Sequence, residues 1–233
     1  MTTRAVIQAR MGSTRLPGKI MAPLAGQPLL WHVVRRLEAA FDVPSPRPFY
    51  DPRQSSEVLV ATTTQPADDL TAYWCAKEGI TCFRGDDRDV LGRYLAAVAD
   101  LYDDDTLVRA TADNPLYCPQ RTAAIVAEHQ RQSADYTCIR DLSYVVPEVI
   151  QVGALRRMAD RTSDPYCREH VTPYFRQRPT DFRSVQLPVD WRGLRPELRL
   201  TVDTADELSR MQKVFDGCSQ DGEVFSLEDA YVA

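Results

Sequence analysis

Through its first 133 residues the chain alternates short apolar runs with amphipathic segments, a pattern that restricts it to an α/β architecture around a largely parallel sheet. Arg4 to Ala9 reads as the opening strand. A loop punctuated by Gly and Pro, Met11 to Gly18, follows, and Pro28 to Ala40 then has helical spacing through Leu29, Leu30, Val33, Val34 and Leu37. Val58 to Ala61 reads as a second strand and 68–77 as a helix. Val90, Leu91, Leu95 and Val98 carry a helix over 88–101, with a strand at 106–109 and a helix at 119–131 behind it. After residue 134 the alternation loosens into extended segments near 135–139, 144–152, 182–189 and 198–202, with helices near 153–161 and 168–177. No break in composition is sharp enough to divide the chain, so 1–233 reads as one domain.

Composition excludes several classes. No stretch approaches the roughly 18 uninterrupted apolar residues of a membrane span, and the opening MTTRAVIQARMGS lacks the basic and apolar regions of a signal peptide. The expectation is a cytoplasmic protein with no membrane partner. A net charge of -5 and a pI near 5.3 give no general attraction to nucleic acid, so affinity for polyanions must come from a local cluster. The six cysteines form no C-x-x-C pair and the three histidines are far apart, which argues against a zinc site and a disulfide framework. Four prolines between Phe41 and Ser56 read as a long irregular connection.

The cluster lies in the loop after the first strand. Gln8-Ala-Arg-Met-Gly-Ser-Thr-Arg-Leu-Pro-Gly-Lys19 sets Arg10, Arg15 and Lys19 beside Gly12, Ser13, Thr14 and Gly18, between a strand and a helix. Open α/β sheets bind phosphate at that place, with backbone N–H groups and cationic side chains turned to the anion. Of 28 basic residues only three are lysines, so Lys19 departs from the chain's own bias and supplies a compact point charge. The loop is neither a P-loop nor a G-x-G-x-x-G fingerprint, because five residues separate Gly12 from Gly18 and Ile20 follows the lysine. A charged surface turn is the competing reading.

Two acidic residues sit at strand ends: Asp113 in Arg109-Ala-Thr-Ala-Asp-Asn-Pro-Leu116, and Asp203 in Leu200-Thr-Val-Asp-Thr204. If both strands neighbour the first, the two carboxylates face the cationic loop, and two hard oxygen ligands opposite a triphosphate suit Mg²⁺. Both aspartates also fit structural roles. Thr204 with Glu207 spells a capping box, and Asp113 before Asn114-Pro115 fits an Asx-turn.

The run Ile7 to Lys19, followed by Gly26-Gln-Pro-Leu-Leu30, resembles the nucleotide-binding signature of the SpsF-like cytidylyltransferases, which are similar to the acylneuraminate and 3-deoxy-manno-octulosonate cytidylyltransferases. The likeness continues through Val60-Ala-Thr62, Arg84 to Leu91, Arg109 to Leu116, Arg168-Glu-His-Val-Thr-Pro173 and Leu200 to Thr204, nearly the whole chain in order. It implies a nucleotide-diphospho-sugar transferase fold, a Rossmann-like, GT-A-like mixed and mostly parallel sheet with helices on both faces. It further implies a nucleotide-binding half at 1–133 and an acceptor and oligomerisation half at 134–233. By the same resemblance Arg10, Ser13, Arg15 and Lys19 contact the triphosphate of CTP, with Ala9, Gly12 and Thr111 beside them. Asp113 and Asp203 hold Mg²⁺, Ala61, Thr62, Arg84 and Gly85 lie near base and ribose, and His170 orients the acceptor, serves as general base, or holds the lobe in place.

The activity so implied is Mg²⁺-dependent transfer of CMP from CTP to a small anionic acceptor with release of pyrophosphate, by a homodimer. Alternatives are a glycosyltransferase using a nucleotide sugar, for which Asp103-Asp-Asp105 is the nearest acidic motif and reads as a solvated turn, and a nucleotide-binding regulator without catalysis. Three departures from the family pattern stand out: the long 41–56 connection bears on the nucleotide-side wall, and the absence of glycine in Tyr144 to Ile150 and Asn114-Pro115 point to an atypical acceptor. Arginines 140, 156, 157, 161, 168, 183 and 192 populate the acceptor half, most of them read as solvated or paired.

Overall fold

The N-terminal apolar run forms β1 (Thr3–Gln8), buried on both faces from Thr3 to Ile7 as a central parallel strand must be. The computed structural model describes residues 1–42, 56–218 and 224–232, so most of the proline-rich connection lies outside the described residues. A small hairpin, β2 (Pro23–Leu24) and β3 (Gln27–Pro28), leads into α1 (Leu29–Asp42). Next come β4 (Ser56–Thr63), α2 (Asp69–Glu78), β5 (Thr81–Gly85), α3 (Val90–Ala97), β6 (Thr106–Thr111) and α4 (Pro119–Arg131). The later part supplies β7 (Tyr136–Ile139), β8 (Glu148–Gln151), α5 (Val152–Arg161), α6 (Pro165–His170), α7 (Pro173–Gln177), β9 (Ser184–Leu187), α8 (Ala205–Cys218) and α9 (Leu227–Ala230).

These strands form a seven-stranded sheet ordered β5-β4-β1-β6-β8-β7-β9, and β8 alone among them runs antiparallel to its neighbours. The sheet is mixed and mostly parallel with helices on both faces, as the resemblance implied. Alternation along β1 builds the two layers: Ala5 and Ile7 pack with Leu29, Val33 and Ile125 of α1 and α4, while Val6 packs with Leu91, Leu155 and Phe175 of α3, α5 and α7. Among the described residues no helix is long and apolar enough to cross a membrane.

Several sequence expectations are corrected. Strand β5 is not among the expected strands, because its Thr-Cys-Phe-Arg-Gly sequence is a half-exposed edge strand without clean alternation. The single helix expected at 168–177 is two helices, broken where Val171 takes a left-handed φ of 63°. Residues 198–202 are not a sheet strand, and only Glu148–Gln151 of the 144–152 segment joins the sheet. Asp103-Asp-Asp105 is not a uniformly solvated turn: Asp105 is buried and accepts the N–H groups of Thr2 and Tyr102, while Asp103 pairs with Arg156.

His129 on α4 is buried against the Thr137 hydroxyl of β7, 2.9 Å away. Burial pushes its imidazole down to about 4 from an ordinary 6.5. Between those values the unfolded chain binds a proton that the folded protein does not, so stability rises with pH across that window. The expected loss on acidification from pH 7 to 4 is on the order of 3 kcal/mol from this residue alone. Urea melts across the range should show His129→Asn with a shallower slope; an unchanged slope would remove His129 as the source.

Candidate active site

Beyond Gln8 the chain leaves the sheet but stays tied to it, with Ala9 N–H on the Ala61 carbonyl at 2.9 Å and Ala112 N–H on the Gln8 carbonyl at 3.0 Å. The loop then folds about one peptide unit. The Met11 carbonyl accepts the N–H groups of Ser13 (2.8 Å) and Gly18 (3.0 Å), and the Ser13 hydroxyl accepts that of Leu16 at 3.3 Å. Gly18, at φ 72°, turns the chain through the left-handed region into a single 3-10 turn, Lys19–Met21. Lys19 is thereby directed back beneath the loop, only 8% exposed.

The acidic partners arrive from two distant segments. At the end of β6 the Asn114 amide donates to the Thr111 hydroxyl (2.7 Å) and the Tyr117 hydroxyl (3.1 Å), so Asn114 rather than Asp113 organises the turn. The Asp113 carbonyl accepts Val202 N–H at 2.9 Å, which sets Asp203 beside Asp113. The capping box before α8 is present as well: a Glu207 carboxylate oxygen accepts the N–H groups of Asp203 (2.8 Å) and Thr204 (2.9 Å), and Glu207 N–H donates to the Thr204 hydroxyl at 3.3 Å. Capping holds the Asp203 backbone and leaves its side chain for the cavity.

There the charges meet. Lys19 Nζ lies 2.8 Å from Asp113 Oδ2 and 2.8 Å from Asp203 Oδ1, and Arg15 reaches the same Asp203 oxygen at 2.9 Å. Burial would raise the Asp203 carboxyl, but the hydrogen bond and charge of Lys19, with Arg15 behind them, outweigh it and hold Asp203 below the ordinary carboxylate value. The group therefore stays ionised at neutral pH, and the pairing is lost only as pH falls through its lowered pKa.

Arg10, Gly12, Ser13, Arg15, Lys19, Thr111, Asp113 and Asp203 line one cavity of about 290 Å³ at the carboxyl ends of β1 and β6. Gln8, Thr14, Ile20 and Ala112 complete its wall; Thr14 belongs to the expected anion-binding loop, whereas Gln8, Ile20 and Ala112 are not among the expected site residues, although Gln8 is the polar end of an apolar strand and so carries a signal. Ala9, Ala61, Thr62, Arg84, Gly85 and His170 do not line it. Ala9, Ala61 and Thr62 are buried in or beside the sheet. Arg84 donates to the carbonyls of Thr63 (2.9 Å) and Gln65 (3.1 Å) and pairs with Asp69, while Gly85 packs against the Arg93 stem. His170 is exposed, its ring 4.5 Å from that of Tyr166.

Arg10 also borders a second cavity of about 410 Å³, shared with Asp87, Arg88, Asp89, Ser163, Pro165, Arg168 and Glu169. Within it Arg10 faces Asp87 at 3.8 Å, and Arg168 is held by Asp89 at 2.5 Å. Among the described residues, Arg168 is the one acceptor-half arginine that lines either of these two cavities; Arg156 and Arg157 pair with Asp103 and Asp135, and Arg140 donates to Gln186.

A mostly parallel sheet whose first strand opens into a cationic loop, facing carboxylates from two further segments at the same edge, defines a nucleotidyltransferase. Residues 4–226 match the model of the cytidylyltransferase family. The chain is 30% identical over 226 residues to the spore coat polysaccharide biosynthesis protein SpsF of Bacillus subtilis, spanning 96% of this chain and 90% of that protein. It is 33% identical over 191 residues to the 3-deoxy-manno-octulosonate cytidylyltransferase of Idiomarina loihiensis, spanning 74% and 67% of the two chains. A solved cytidylyltransferase from Leptospira borgpetersenii superposes with a TM-score of 0.82 at 27% identity, over 100% of this chain and 93% of that one. The chain belongs to the cytidylyltransferase family.

Proposed function

We propose that this enzyme transfers CMP from CTP to a small anionic acceptor and releases pyrophosphate, with Mg²⁺ held by Asp113 and Asp203. The observation that carries the reading is the Lys19 ammonium seated between two carboxylates on the wall of a cavity that the cationic loop also lines. Two carboxylate oxygens each 2.8 Å from one nitrogen lie within about 5.6 Å of one another, a span that one ion can bridge through water. Hard oxygen donors in that number fit Mg²⁺, which takes one or two carboxylates and completes its shell with phosphate and water. When bound, the ion offsets phosphate charge.

The chain's own residues do the rest. Arg10, Arg15 and Lys19 bind the triphosphate and neutralise charge gathering on the departing pyrophosphate as an acceptor oxygen attacks the α-phosphorus in line. Positioning and electrostatics dominate, because phosphoryl-type transfer leaves little covalent work to the protein. The second cavity, which shares Arg10 with the first, receives the acceptor: Arg88 and Arg168 meet its negative charge, with Asp87, Asp89 and Glu169 on the same wall to take its hydroxyl groups. An acidic acceptor hydroxyl, carboxylate or phosphonate needs no strong base, and the exposed His170 is not assigned one. The glycosyltransferase alternative loses its acidic motif: Asp103 and Asp105 are engaged at the amino end of β6, opposite the cavity.

Pyrophosphate release from each of the four nucleoside triphosphates, across a panel of hydroxylated carboxylates, sugar acids and phosphonates, tests the reading. Release with CTP and an anionic acceptor is expected. Turnover of a nucleotide sugar in preference to CTP, or CTP binding without turnover on any acceptor, would overturn it.

A further inference from the structure

The short 3-10 turn Pro66–Asp68 ends on a residue type that normally caps the following helix through its side chain. Asp68 stands at the N-cap of α2 and makes no side-chain bond to that helix. Its carboxylate, in a residue 2% exposed, points instead across the β1–β4 edge. One oxygen accepts the backbone N–H of Met11 at 2.7 Å, and the other accepts the Thr63 hydroxyl at the end of β4. Neighbouring Asp69 behaves differently, sitting at the surface and pairing with Arg84.

Met11 is the peptide about which the cationic loop is folded, since its carbonyl receives both Ser13 and Gly18 N–H. Asp68 therefore grips the adjacent peptide unit, Arg10–Met11, one Cα away from the carbonyl that shapes the loop. Arg10, immediately before it, lines both cavities. A buried carboxylate bonded to a backbone N–H is worth more than a neutral pair, and its loss leaves that N–H without a partner.

We propose that Asp68 is the positioning residue of the phosphate-binding loop: it touches neither nucleotide nor acceptor, and it sets the Met11 peptide so that the cations of residues 10–19 converge on the triphosphate. The kinetic part rests on the nucleotide reading above; the structural part does not.

Hydrogen exchange separates the two. In Asp68→Ala the amides of the 10–19 segment should exchange at least ~10-fold faster, the size expected from one lost charge-assisted bond, with those of β6 and α4 unchanged. The same variant should lose at least ~10-fold in kcat/KM for CTP, mainly through a raised KM, while its melting temperature stays within a few degrees of wild type. Asp68→Asn keeps an oxygen for Met11 and an amide for Thr63, and should return both measurements to within ~3-fold of wild type. Thr63→Val, which removes one of the two bonds, should fall between. Wild-type exchange in the loop of Asp68→Ala, accelerated exchange spread through the sheet, or no rescue by Asn would each overturn the proposal. Absence of CTP turnover in the wild type would instead defeat the nucleotide reading, and the loop exchange would still decide Asp68.

Discussion

Replacing Lys19 by alanine is expected to lower CMP transfer at least ~100-fold, the usual cost of removing one charge partner from a transition state of this kind. The ammonium stands between Asp113 and Asp203, each 2.8 Å away, and faces the cavity lined by Arg10, Ser13 and Arg15. In the proposed reading its loss removes a positive charge from the departing pyrophosphate and leaves two carboxylates less neutralised, so an incoming polyanion meets repulsion as well. The effect should fall on kcat as well as KM, because charge develops during the reaction. Arginine is expected to restore little, because a planar guanidinium fork differs in shape and reach from the compact ammonium held here at 8% exposure. Steady-state pyrophosphate release measures this, and near wild-type turnover in Lys19→Ala would reject the assignment of the cavity.

Asp203→Asn is expected to match it, again at least ~100-fold in kcat, for the opposite reason. Asparagine keeps the shape and leaves the α8 cap intact, because Glu207 binds the backbone N–H groups of residues 203 and 204 rather than the side chain. The melting temperature should therefore barely move. What disappears is an anionic oxygen that pairs with Lys19 and Arg15 and, in the proposed reading, binds Mg²⁺. A variant with normal folding and normal turnover would show that turnover does not use the Asp203 carboxylate. A variant that recovers turnover at much higher Mg²⁺ would place the loss in metal affinity.

Elements with strong local signals are legible in the amino-acid sequence. Helix α4 occupies 119–131 as expected, since Pro119 suits a first turn and Ile125 and Val126 face the core. Strand β1 is legible from Ala5-Val6-Ile7, a short apolar run of the kind that a central parallel strand buries on both faces. Strand β5 is not, because a half-exposed edge strand needs no apolar face. The break at Val171 carries no signal either: a β-branched residue in the left-handed region is held there by its surroundings. The 198–202 segment has the pattern of a strand, but Val202 spends its N–H on the Asp113 carbonyl rather than on a sheet ladder. Asp68 carries the local signal of a helix start, a role its side chain leaves unused.

The sequence by itself determined the chemistry on offer: a glycine-bearing loop with three cations after the first strand, and acidic residues at two later turns. Residue type and local periodicity carry that much, because they report which groups are charged and which face of an element is buried. Only the tertiary structure decided that Lys19 meets carboxylates 94 and 184 positions away, that Asp68 reaches back 57 positions to hold Met11, and that His170 stays outside the cavity. Those outcomes depend on the order of strands, with β1 between β4 and β6, and on single long-range hydrogen bonds. Neither leaves a periodic trace in the chain, because each is a contact between residues whose local sequences are independent of one another.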